Sequence, residues 1–219
     1  NVGMSGGGAG DGSNQISIRP DILGDTNAAG LGTAFLTYST GRGFRPLTSA
    51  ELAPGLFRAF ATNSNVAVSG STLFGTATVN SLTLNAGSSF TGISNVAQLT
   101  PSSGGILVFN ASGGFNGGLV NTGGAQVFFH QLDTVNALNF DSYIQTSNQV
   151  IKSGGGVLNI LRPQYFTNSN FVVNAGAVNF NSGADNTLPV ILGAATPTLT
   201  SLVVNAGTAS GVGAVAGFA

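Results

Sequence analysis

Three aspartates near the N-terminus are the residues whose type and spacing best suit metal binding. Asp11, Asp21 and Asp25 lie in Gly-rich sequence with asparagines close by, and carboxylate and amide oxygens are the ligands that Ca²⁺ prefers. The alternative role for these side chains is turn formation, since Asp and Asn hydrogen-bond their own backbone in loops. A calcium site formed by Asp11, Asp21 and Asp25 is the one metal site that the sequence predicts, and it predicts no other cofactor.

The single histidine of the chain, His130, lies close to Asp133 and Asp141 in the middle of the sequence. General acid–base catalysis on a polysaccharide needs paired carboxylates, together with cations on the same face. The two aspartates are separated by less than one coil of a repeat protein, so they would not stack at the same position of successive coils. We therefore predict no catalytic residues and no enzymatic activity.

Charged residues are scarce throughout the chain. They make up 6 % of its 219 residues, with a net charge of −1, whereas about 25 % is usual in soluble domains. This excludes binding to nucleic acid by phosphate neutralisation, which needs many Lys and Arg side chains. No run approaches the ~20 apolar residues of a membrane-spanning helix. Hydrophobic residues make up 42 % of the chain, enough for a buried core, and the neutral polar remainder favours an extracellular location.

The elements that must position these residues are short β-strands separated by turns. The phrase Asn-Ala-Gly recurs at 85–87, 174–176 and 205–207, and a second phrase, a small residue followed by Gly-Gly, recurs at 103–105, 122–124 and 153–155. Neighbouring copies of the second phrase lie 19 and 31 residues apart, in the range of solenoid repeats. Runs of β-branched and aromatic residues bounded by Gly, Asn and Ser are typical of strands and turns, and here they are Val79–Leu84, Ile106–Phe109, Gln126–Phe129, Val157–Ile160, Phe171–Val173, Ala177–Phe180 and Leu202–Val204.

These repeats predict an all-β fold, a parallel β-solenoid in which inward Val, Ile, Leu and Phe side chains form continuous columns. Equivalent Asn side chains of successive coils would then hydrogen-bond to one another in a ladder. An antiparallel β-sandwich is the alternative, because it also uses short strands and Gly-rich turns. The recurring Asn-Ala-Gly phrase favours the solenoid.

The composition of the chain changes near Thr62. Residues 1–62 hold most of the arginines, and we expect an irregular N-terminal capping segment there, with strands at Ile16–Arg19 and Thr33–Tyr38. Thr48 and Glu51 have the spacing of a capping box, which predicts one short helical turn. Residues 63–219 are the predicted β-solenoid repeat domain.

Four phrases of the sequence lie in an order that is found in a known protein family, namely Ser17–Pro20, Gly30–Tyr38, Gly43–Glu51 and Val79–Leu84. Together they resemble the very large bacterial surface proteins that carry autotransporter-associated β-strand repeats. The resemblance implies a right-handed β-helical passenger segment that is secreted across the outer membrane and displayed at the cell surface or released. It also implies a role in adhesion, biofilm or matrix formation.

The leading functional hypothesis is a non-enzymatic extracellular protein, a self-assembling β-solenoid subunit of a bacterial surface filament, adhesin or matrix. Self-association would use main-chain hydrogen bonds at exposed coil ends, and the apolar segments Val2–Met4 and Ala214–Ala219 are the predicted exchangeable ends. The alternative is a glycan-binding or polysaccharide-degrading β-helix module, which the low number of Tyr and the absence of Trp disfavour. We expect no nucleic-acid partner and no membrane-spanning segment.

Overall fold

The computed structural model describes residues 4–6, 8–30, 32–56, 59–85, 87–92, 94, 96–109, 113–122, 124–162, 164–180 and 198–211. The predicted β-solenoid is confirmed, since parallel strands stack coil on coil in one large sheet. Its strands are β4 (Ala53–Pro54), β5 (Asn65–Val68), β6 (Ser71–Phe74), β7 (Ala77–Leu84), β8 (Ser89–Gly92), β9 (Gln98–Val108), β10 (Phe115–Asn121), β11 (Val127–Gln131), β12 (Leu138–Thr146), β13 (Val150–Ser153), β14 (Val157–Ile160), β15 (Tyr165–Val173), β16 (Ala177–Phe180), β17 (Thr198–Val204) and β18 (Thr208–Gly211).

Each coil contributes strand segments to three parallel ladders. The first ladder runs through β4, β5, β7, β9, β11, β13, β15 and β17, and the second through β6, β8, β10, β12, β14, β16 and β18. The third ladder uses the remaining halves of the long strands β7, β9, β10, β12, β15 and β17. Side-chain contacts between equivalent positions of successive coils span 16 to 31 residues.

Apolar columns fill the interior of the solenoid, because side chains alternate between the two faces of a strand and every second residue points inward. In the second ladder Phe90, Phe115 and Phe140 are register partners, and all three are fully buried. Their ring centroids are 5.5 and 4.9 Å apart. In the first ladder the buried register positions are Val66, Leu82, Ile106, Phe129, Lys152 and Val173.

Asparagine ladders connect successive coils on the outside, as the repeats predicted. Asn159 Nδ2 donates to Asn139 Oδ1 at 2.9 Å, and Asn179 Nδ2 donates to Asn159 Oδ1 at 2.8 Å. In the Asn-Ala-Gly turns, Asn205 Nδ2 donates to Asn174 Oδ1 at 2.7 Å. This turn requires glycine, because Gly176 has a φ of +73°, a backbone conformation that residues with a side chain disfavour.

The N-terminal segment contains the two strands that the sequence predicts near Ile16–Arg19 and Thr33–Tyr38. It forms a three-stranded antiparallel sheet of β1 (Ile18–Gly24), β2 (Ala34–Ser39) and β3 (Gly43–Pro46), with a register shift between Arg19 and Leu23. This sheet packs against the outer side of the solenoid, where a second apolar cluster contains Ile18 and Phe35 with Leu107 of β9. The sequence did not indicate this position, because the contact joins residues far apart in the chain.

Residues that directly precede β5 pack against the start of the solenoid. The two-residue strand β4 pairs with β5, and Phe60 packs edge-on against Phe90 with a centroid distance of 5.6 Å. The predicted helical turn before β4 is confirmed as a 3₁₀ turn, Ser49–Glu51, with a capping box between Thr48 and Glu51. Among the described residues no helix is long and apolar enough to cross a membrane.

Candidate functional site

The three aspartates of the predicted calcium site have separate partners. Asp11 accepts a hydrogen bond from Arg45 at 3.1 Å, and Asp21 forms a two-bond ion pair with Arg19 at 2.6 and 2.8 Å. Asp25 accepts the backbone N–H of Asn27 at 2.9 Å, which is a turn-forming contact. Within the described residues there is no group of three or more His, Asp or Glu side chains that could hold a metal ion. The calcium site therefore stays a prediction without geometric support.

A buried ion pair organises the start of the chain. Glu51 is 1 % exposed and accepts hydrogen bonds from Arg45 Nη2 and Nη1 at 2.6 and 2.8 Å. The backbone N–H groups of Gly12 and Thr48 also donate to this carboxylate, both at 2.9 Å. The Arg45 guanidinium and these N–H donors lower the pKa of Glu51 to about 2. The pair ties the Gly-rich N-terminal loop to the 3₁₀ turn, so its role is structural.

His130 points to the outer face of β11, yet it is 5 % exposed because the N-terminal sheet covers it. Its Nε2 lies 2.7 Å from the carbonyl oxygen of Pro20, and its Nδ1 lies 2.7 Å from Ser153 Oγ. Since a carbonyl oxygen only accepts, Nε2 carries the proton and Nδ1 accepts the serine hydroxyl. Burial lowers the pKa of His130, which favours the neutral ring. This arrangement suits a structural role for His130.

Asp133 and Asp141 do not share a site. Asp133 accepts the backbone N–H groups of Val135 and Asn136 at 2.9 and 3.0 Å and closes a turn. Asp141 forms a two-bond ion pair with Arg162, whose guanidinium also lies 5.3 Å from the ring centroid of Tyr143. Each carboxylate is held by neighbours that suit a structural role, so their geometry offers no paired carboxylates for acid–base catalysis.

Lys152 occupies an interior position that the sequence did not reveal. It is fully buried, and its Nζ donates to the carbonyl oxygens of Gly154, Gly156 and Ala175 at 2.6, 2.6 and 2.9 Å. Burial lowers the pKa of Lys152 to about 8. The Ser-Gly-Gly-Gly run after the lysine is the one sequence signal for this site, because glycines allow the backbone carbonyls to approach an ammonium group.

Two aromatic side chains are exposed on the hairpin of β2 and β3. Tyr38 and Phe44 are cross-strand partners with exposures of 44 and 58 %, and their ring centroids are 5.3 Å apart with the planes at 69°. They are the exposed aromatic side chains of the described N-terminal sheet. The sequence predicts Tyr38 within a strand and does not indicate this surface.

The last described coil has open strand edges. β17 pairs with β15, and β18 pairs with β16, but neither strand has a second partner among the described residues. Val203 and Val204 on β17 are 41 and 44 % exposed. The exchangeable ends predicted at Val2–Met4 and Ala214–Ala219 lie outside the described residues, apart from Met4.

The groups available for function are therefore the open edge of the last described coil, the aromatic side chains of the β2–β3 hairpin and several structural ion pairs. Comparison of the chain with protein-family models, curated proteins and solved structures finds no match in any of the three, so the resemblance to proteins with autotransporter-associated repeats stays a prediction.

Proposed function

We propose that this protein is a non-enzymatic structural rod of the bacterial cell exterior that self-associates through the open edge of its last described coil. The observation that carries the proposal is the end of the three parallel ladders at β17 and β18, where main-chain groups on one edge have no partner among the described residues. Exposed strand edges of this kind are templates for pairing with another chain.

Exposed apolar side chains at the same edge support a second copy of this chain as the partner. Val203 and Val204 lie on β17 and are both more than 40 % exposed. The net charge of −1 over 219 residues gives little repulsion between copies. The outer asparagine ladders already join coils through neutral amide groups, and Asn205 at the last turn is exposed. A second coil end would extend this neutral pairing.

The opposite end of the solenoid is a poorer template for the same pairing. β4 is two residues long and contains Pro54, which has no N–H to donate to a ladder, although β6 has β8 as its one partner among the described residues. Because the first ladder is blocked at this end, we expect a closed pair in which two last described coils meet about a two-fold axis, whereas head-to-tail growth into a filament would need both ladders to continue at both ends.

Light scattering of the purified chain tests the proposal. We expect a concentration-dependent dimer that the double substitution Val203→Lys and Val204→Lys converts to a monomer, because charges at a strand edge oppose pairing. Val135→Lys is the matched control, since Val135 is 88 % exposed on a turn between β11 and β12. A monomer at all concentrations would contradict self-association, and filaments seen by electron microscopy would contradict the closed pair.

A further inference from the structure

We propose that the tip of the β2–β3 hairpin is a binding site for an acidic polysaccharide. In this site Tyr38 and Phe44 stack against sugar rings, and Arg42, in the turn between the two strands, pairs with a carboxylate of the sugar. The inference goes beyond the proposed structural role, because it concerns a different surface and a different partner.

The first argument is the exposure of two aromatic rings in a protein that buries its other described Phe side chains wholly or in part. Tyr38 and Phe44 stand edge to face at 5.3 Å, so each ring stays partly open to solvent, with exposures of 44 and 58 %. Exposed apolar groups that lie together mark binding sites. The apolar C–H faces of pyranose rings suit such flat surfaces, and sugar hydroxyls remain hydrated at the edges.

The second argument is charge. Arg19 and Arg45 in the same segment pair with Asp21 and Glu51, and Arg162 pairs with Asp141. Arg42 is exposed at the hairpin turn, and within the described residues it has no carboxylate within ion-pair distance. A guanidinium is suited to two-bond recognition of a planar carboxylate. The combination of open rings with an unpaired cation fits a ligand that has apolar faces and negative charge.

The third argument is rigidity of the support. β2 is hydrogen-bonded on both sides, to β1 and to β3. On the opposite side of β2 from Tyr38, Thr37 Oγ1 donates to the carbonyl oxygen of Ser17 at 2.7 Å, and Phe35 packs against the ring of His130. These contacts fix the hairpin to the solenoid, so the aromatic pair is positioned before the ligand binds and little ordering is needed.

The size of the surface favours a sugar over a protein partner. Stable protein interfaces bury about 800 Å² on each partner, which two half-exposed rings and one arginine do not supply. One or two sugar units cover the same groups completely. A lipid surface is the remaining alternative, because aromatic and arginine side chains also occur at membrane interfaces.

Isothermal titration of the full chain with a galacturonic acid hexamer tests the proposal, with maltohexaose as the neutral probe. We expect binding of the acidic hexamer that weakens at high salt and is about tenfold weaker for Arg42→Gln, the size of effect expected for one charge-assisted pair. The double substitution Tyr38→Leu and Phe44→Leu keeps apolar side chains but removes both aromatic rings. We expect this variant to show no detectable binding. Leu56→Ala, at another exposed apolar position, is the control.

Each other outcome overturns the proposal. These outcomes are no binding of the acidic hexamer, equal binding of both hexamers, or unchanged binding by Arg42→Gln. Binding to phosphatidylglycerol vesicles without binding to the hexamer would assign the hairpin to a membrane surface instead. Circular dichroism of each variant shows whether it has folded, and light scattering on the same samples measures self-association separately, so failure of either proposal is distinguishable from failure of the other.

Discussion

Phe129 and Lys152 are register partners on the adjacent strands β11 and β13, and both side chains are fully buried in the same interior column. The lysine thus stands where other coils have Val, Leu or Ile. A buried ammonium is costly unless its donors are satisfied. Three carbonyl oxygens accept from Nζ, and they belong to two successive turns, so the lysine links one coil to the next.

Replacement of this lysine by an apolar residue of similar length tests the link. Lys152→Met keeps volume in the column but removes the ammonium donor from the carbonyls of Gly154, Gly156 and Ala175, of which Gly156 keeps the backbone N–H of Ala177. We expect it to lower the free energy of unfolding by about 2 to 4 kcal/mol, because buried acceptors without partners carry a desolvation penalty. Urea denaturation followed by circular dichroism measures the change. Arg42→Met replaces an exposed cation and should change stability by less than about 0.5 kcal/mol; equal losses would contradict the link.

The same lysine predicts how stability depends on pH in alkaline solution. Its pKa is lowered from 10.5 to about 8 in the folded protein, so between these values the unfolded chain binds more protons than the folded one. The free energy of unfolding therefore rises as the pH increases from about 8 to 10.5, by at most about 3 kcal/mol. Denaturation at several pH values measures this slope. The rise should be absent in Lys152→Met, and a rise of the same size there would show that another group causes it.

Glu51 predicts the opposite behaviour in acid. Its pKa is lowered from 4.5 to about 2 by Arg45 and by the N–H groups that it accepts. The unfolded chain therefore takes up the proton first as the pH falls, and the stability that this carboxylate contributes, roughly 2 to 3 kcal/mol, is lost between about pH 4.5 and pH 2. Thermal unfolding of the wild type and of Glu51→Gln over this range measures the loss. Glu51→Gln should lack this loss, and a loss of the same size in that variant would show that other groups cause it.

The asparagine ladder predicts a graded effect. Asn159 makes one side-chain hydrogen bond to Asn139 and receives another from Asn179. Asn159→Ala removes both and should cost about 1 to 2 kcal/mol, whereas Asn139→Ala at the end of the ladder removes only the first and should cost about half as much. Urea denaturation of the two variants gives the ratio. An equal cost for both would mean that the amides do not stabilise the solenoid through this ladder.

The coil architecture could be predicted from sequence because its signals are local. The alternation of each strand lies within a single coil, and the Asn-Ala-Gly turn recurs in different coils. The ladder of Asn139, Asn159 and Asn179 follows once the coils are stacked. The position of Lys152 could not be predicted, because it depends on the register between β11 and β13, and alternation alone does not fix that register. His130 and Pro20 are in contact although they lie 110 residues apart in the sequence. No local pattern in either segment indicates that the two segments meet.

The docked N-terminal sheet should separate from the solenoid without unfolding it. Phe35 is 1 % exposed beneath this sheet and packs edge-on against His130, with ring centroids 5.7 Å apart. Phe35→Ala removes the largest apolar contact of the smaller cluster, and we expect a loss of about 3 to 5 kcal/mol in the docking of the sheet. The long ladders of the solenoid do not depend on that contact, since their apolar columns are filled by a separate cluster of residues.

Hydrogen exchange measures the two parts separately. In Phe35→Ala the amides of β1, β2 and β3 should lose protection, whereas those of β11 and β13 should keep it. The control is Phe44→Ala, which removes an exposed ring from the same sheet and should leave the protection of β1 unchanged. Loss of protection throughout the solenoid in Phe35→Ala would show instead that the sheet and the coils unfold as one unit.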